Sequence, residues 1–135
     1  MSVAAILEGI QERYDSQPVA KLLSGMWLGL APDTAGLPYA VYTLSLTAER
    51  TFGERFENGD LTIRIYYADT TAEDQSIIGA LDTIGEAMAS AFDDCSLTLT
   101  GYTSIYVTRR GRSIARDPDG GWTYELQYDL QVQED

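Results

Sequence analysis

The stretch WTYELQYDLQVQ, residues 122–133, alternates apolar and polar side chains without a fault. A period of two puts Trp122, Tyr124, Leu126, Tyr128, Leu130 and Val132 on one face of a β-strand. Thr123, Glu125, Gln127, Asp129, Gln131 and Gln133 take the other face. A strand with one dry and one wet face belongs to an antiparallel sheet covered on one side. At about 3.3 Å per residue, twelve residues reach roughly 40 Å, enough to cross a whole sheet.

Working outward, residues 60–68 repeat the pattern, with Leu61, Ile63, Ile65 and Tyr67 against Thr62, Arg64 and Tyr66. Residues 39–47 do so again, with Ala40, Tyr42, Leu44 and Leu46 against Thr43, Ser45 and Thr47, and Pro38 suits a strand start. The charged segment 48–59 between them holds Gly53 and Asn58-Gly59, a favoured hairpin turn pair. It is therefore predicted to be an exposed connection between antiparallel strands. The short apolar run 26–30 reads as an edge strand, and 31–37, with Pro32, Asp33 and Gly36, as a loop. Segments 96–100 and 104–108, with Gly101 between, read as one bent strand or two short ones.

Two stretches change to helical spacing. Val3, Ile6, Leu7, Ile10 and Tyr14 form a stripe opposite Glu8, Gln11 and Glu12, with Ser2 as N-cap, and 19–23 adds a possible further turn. Thr70 and Glu73 make a capping box opening a long helix whose inward stripe is Ile77, Leu81, Ile84, Met88 and Ala91 or Phe92. Asp74 suits its dipole and Asp93-Asp94 marks its exit. The predicted fold is α+β: a mainly antiparallel, twisted sheet with an N-terminal helix and one long central helix packed on one face. Residues 1–135 are read as a single domain.

Charge and missing residue types narrow the function. Twenty-one acidic and nine basic residues give a formal charge of −12, a field that repels phosphate and disfavours sequence-specific DNA binding or an anionic membrane. Cys95 is the sole cysteine, so no intrachain disulfide forms, which fits a reducing cytoplasm and a structural thiol. Residues 1–9 do not read as a signal peptide, and no apolar run has the length of a membrane span.

The chain has no histidine, which removes the usual general base, the Ser-His-Asp and Cys-His arrangements and the commonest zinc ligand. Neither Gly-rich nucleotide cradle is present. Glu73-Asp74, Asp93-Asp94 and Glu134-Asp135 read as solvated element ends, because divalent cations need oxygens converging from several segments. The expectation is a non-enzyme, with no catalytic, cofactor-binding or metal-ligating residue.

Four of the nine basic residues, Arg109, Arg110, Arg112 and Arg116, crowd into 109–116 before an Asp-Pro-Asp-Gly-Gly stretch. This segment reads as a solvated hairpin loop, as a contact to acidic surface on a neighbouring subunit, or as a DNA contact. Nine tyrosines, with Tyr66, Tyr102 and Tyr106 opposite the apolar stripes, suit either interface or ordinary strand preference.

Taken together, the run GLPYAVY at 36–42, NGDLTIRIYY at 58–67, the long helix and the alternating strand at 122–132 resemble one family. It is the tail-terminator, or tail-completion, family of long-tailed bacteriophages, related prophages and gene-transfer particles. The resemblance covers nearly the whole chain. It implies a small α+β subunit that forms a hexameric ring on the head-proximal end of the tail tube, stops tube polymerisation and meets the head connector. The implied partners are other copies of itself, the tail tube protein and the head-tail connector protein. DNA would only pass non-specifically through the ring, and no membrane is involved.

The implied location is the virion tail, assembled in the host bacterial cytoplasm. Charge and predicted exposure, rather than the family pattern, mark two loops as candidate subunit or tube contacts. One is 49–58 with Glu49, Arg50, Glu54 and Arg55, and the other is 109–116 with Arg109, Arg110, Arg112 and Arg116. Two other readings stand beside this one: a head-tail connector or neck adaptor, and a small-ligand or regulatory binding module.

Overall fold

The computed structural model describes residues 3–68, 74–118 and 120–135. The chain runs α1 (Val3–Asp15), a 3-10 turn (Pro18–Lys21), β1 (Met26–Leu28), β2 (Tyr39–Thr51), β3 (Glu54–Tyr67), α2 (Asp74–Phe92), β4 (Tyr102–Arg116) and β5 (Trp122–Glu134). The strands form one sheet in the order β1-β2-β3-β5-β4. The short β1 lies parallel to β2, and every other pairing is antiparallel. The α+β class and the mainly antiparallel sheet hold.

β5 alternates so cleanly because it is held on both sides, by β3 from Trp122 to Gln133 and by β4 from Trp122 to Glu134. Its apolar row, with Leu61, Ile63 and Ile65 of β3, forms the floor of a single core. Ile6, Ile10 and Tyr14 of α1 and the expected α2 stripe, Ile77, Leu81, Ile84, Met88, Ala91 and Phe92, are all buried. Each such large side chain contributes about 1.5–3 kcal/mol by leaving water, which is why periodicity was enough to find these elements.

Five expectations need correction. The segment 48–59 is not a loop. β2 and β3 run on as a tight hairpin, and its turn is Phe52-Gly53, with φ of 52° and 82°. Two successive left-handed residues match the twist of the flanking strands. Asn58 and Gly59 lie inside β3, Gly59 between Leu46 and Leu130. A Cβ on Gly59 would stand 2.8 Å from Leu130 Cδ1 and 3.0 Å from Leu46 Cδ2, so this glycine serves close packing rather than a turn.

Likewise 109–116 is not a loop but the second half of β4, and the backbone of Asp117 bonds to Gly120 and Gly121 where the chain turns back. Residues 96–100, read as strand, lie outside the sheet, although Leu97 is buried from there. Tyr102, expected on the outer face, is buried in the core.

The central helix is not the long element of the molecule. α2 has 19 described residues, about 28 Å at 1.5 Å per residue, whereas the 15 residues of β4 extend to roughly 50 Å. The Thr70 and Glu73 capping box, the Ser2 cap and the Glu73 member of the first acidic pair fall outside the described residues.

Candidate assembly surfaces

Sheet topology separates the predicted contact residues instead of gathering them. Glu49, Arg50, Glu54 and Arg55 flank the β2–β3 turn at one end of the sheet, whereas Arg116 sits at the other end, paired across to Trp122. Arg109, Arg110 and Arg112 lie between.

Around the turn the side chains are exposed and poorly matched to one another. Phe52 is 102% exposed, in a left-handed conformation that bulky residues rarely adopt. Arg50 stands directly across from Arg55, a like-charge cross-strand pair that costs stability. Arg55 reaches Glu134 at 3.9 Å, and Glu49 accepts a 2.6 Å hydrogen bond from Asn58. Arg50 has no ion-pair partner among the described residues.

The β4 arginines, by contrast, are engaged within the chain. Arg109 and Arg112 lie opposite Tyr128 and Leu126, so both project toward the helix layer. There Arg109 meets Asp93 at 3.5 Å, just past the end of α2, and Arg112 donates to Glu86 on α2. A cation beside a helix C-terminus is favoured by the helix dipole. Arg110 donates to Asp60 at 2.9 Å and Asp129 at 3.1 Å on the uncovered face. Arg116 lies over the Trp122 ring, 5.6 Å from its centroid.

At the sheet end opposite the hairpin, aromatic side chains surround a cleft that sequence reasoning did not find. Trp27, Tyr39 and Tyr66 form a chain of ring contacts at 6.2 and 5.4 Å. Leu37, Tyr39, Tyr66, Tyr67, Asp117 and Trp122 line a depression of about 120 Å³ beside them. These residues come from three strands and two connections, so only the register of the sheet brings them together. The signal available beforehand was the Tyr66-Tyr67 pair at the end of an alternating strand and Trp122 at the start of another.

Among the described residues, no group of three or more His, Cys, Asp or Glu side chains could hold a metal ion. Burial pushes the Cys95 thiol up, away from the reactive thiolate. No helix is long and apolar enough to cross a membrane.

A solved structure with this architecture is the virion of a native gene transfer agent particle. A chain of that particle shares the fold described above. The TM-score is 0.74, and the match covers 98% of this chain and 99% of that one. Identity is 11%, so the likeness is one of fold. No protein-family model matches the chain, and no curated protein matches it significantly in sequence.

Proposed function

We propose that this chain is a structural protein of a phage-type virion tail. In this reading it is not an enzyme. Copies close into a ring on the head-proximal end of the tail tube, end tube growth and join the tail to the head connector.

The observation that carries the reading is the end-to-end fold likeness to a gene transfer agent virion chain, with 98% and 99% of the two chains covered. Three features of the chain support it. Its two ends carry different surfaces, an exposed hairpin and an aromatic cleft, as a head-to-tail contact requires. Such a contact produces a ring when its rotation closes. Outside the pairing of residues 40–42 with β1, the outer edge of β2 pairs with no other strand among the described residues. Finally, a subunit of charge −12 repels phosphate, which would let DNA slide through a ring without sticking.

Electron microscopy of the purified chain mixed with tail tubes tests the proposal. Sixfold rings on one tube end, with growth arrested, are expected. Bare tube ends and unaltered growth would overturn it. Binding to the portal side alone would make the chain a neck adaptor instead.

A further inference from the structure

Phe52 combines two local costs that the fold of one chain does not repay. It exposes its whole ring to water, and it occupies the left-handed first position of a two-residue turn, where Asn, Asp or Gly is favoured. Residues held in such sparsely populated backbone regions cluster at functional sites, where the surroundings offset the strain. Beside it Arg50 lacks a counter-ion among the described residues and faces Arg55 across the strand pair. An exposed ring flanked by an unpaired cation suits an apolar hole with a carboxylate nearby.

The chain carries a half-open cleft with aromatic walls and a carboxylate at its other end. The cleft of about 120 Å³ is walled by Leu37, Tyr39, Tyr66, Tyr67 and Trp122, and Asp117 belongs to its lining. A dry cavity of about 150 Å³ accepts benzene, so an open cleft of this size can seat most of a phenyl ring. Leu37, on the cleft wall, is 49% exposed, which leaves apolar surface uncovered there. The thirteen residues of β2, from Tyr39 to Thr51, place tip and cleft roughly 40 Å apart. One molecule cannot fill its own cleft.

We propose that Phe52 of one copy docks into the aromatic cleft of a second copy, with Arg50 brought toward Asp117. The contact is head-to-tail, so it leaves a free tip and a free cleft until the assembly closes. This rests on the self-assembly part of the function proposed above, and it names the surfaces that join.

Sedimentation velocity on the full chain and two variants tests it. Phe52→Asn gives the turn a residue that tolerates the left-handed conformation, so the melting temperature should hold or rise while self-association weakens at least about tenfold, as for a buried aromatic anchor. Leu37→Arg puts a cation in the cleft wall against Arg50 and should weaken association similarly. Mixed together, the two variants retain one good tip and one good cleft, and should form pairs but nothing larger.

Self-association of Phe52→Asn equal to the parent would overturn the docking and leave the ring proposal standing. A parent chain that stays monomeric overturns the docking too, and its presence or absence on tube ends then decides the functional reading separately.

Discussion

Tyr14 packs its ring into the core from the end of α1, and its hydroxyl is buried with no protein partner among the described residues. Burial, and secondarily the charge of Asp15, pushes its pKa up to about 12 from an ordinary 10. Tyr128 is raised as well, by burial first and then by the 2.8 Å hydrogen bond its hydroxyl donates to Asp93. For both, the folded value exceeds the unfolded one, so the stability is fully present below pH 10. As pH rises above 10 the unfolded chain releases protons that the folded chain keeps, and each such group costs about 1.4 kcal/mol per pH unit. Denaturant midpoints should therefore fall between pH 10 and 12, and Tyr14→Phe should make that fall shallower. At neutral pH the same substitution should be neutral or stabilising by up to about 1 kcal/mol, because it removes an unpaired buried hydroxyl. An unchanged alkaline slope in Tyr14→Phe would refute the role given to burial at this site.

Strand β4 is where element and sequence pattern part company. Its register skips Ile105 between Ser104 and Tyr106, and Arg110 between Arg109 and Gly111. Each bulge inserts one residue and reverses which parity faces the core. The row facing the helices is consequently Tyr102 and Ser104, then Val107 and Arg109, then Arg112, Ile114 and Arg116, with no constant period. A reading based on alternation breaks such a strand into fragments and takes 109–116 for a loop. The second bulge also places Arg110 beside Asp60 and Asp129, which face each other directly across β3 and β5. Like charges opposite one another destabilise a sheet, and one arginine here offsets two carboxylates. All three side chains are about half exposed, so solvent screens them and the effect is small. Arg110→Ala should lower stability by under about 1 kcal/mol at low salt, and Asp129→Asn in that background should recover most of the loss. A denaturation cycle that finds the two substitutions additive would make Arg110 a solvated bystander.

Across the whole molecule the charge of −12 opposes any association between copies. A single Arg50–Asp117 approach offers one attraction against this general repulsion. Raising the salt from about 0.01 M to 0.15 M shortens the screening length from roughly 30 Å to 8 Å. Self-association should therefore strengthen with salt over that range, as sedimentation at fixed protein concentration would reveal. Weakening with salt would mean that ion pairs, not an apolar anchor, hold the copies together. The arginines of β4 fit this picture, since Arg109, Arg110 and Arg112 meet acids of their own chain.

The amino-acid order alone determined the α+β class, both helices, the buried face of β5 and the middle of β2 and β3. Burial of apolar surface acts on every residue of an element in turn and leaves a period of 2 or 3.6 behind it. Pairing between distant strands leaves no such trace. Only the tertiary structure decided that Phe52-Gly53 is the turn and Asn58-Gly59 part of a strand, because Leu130, more than seventy residues away in the chain, occupies the space beside Gly59. It alone decided, too, that Leu37, Tyr66 and Trp122 share one cleft, since strand register and not local sequence sets which side chains become neighbours.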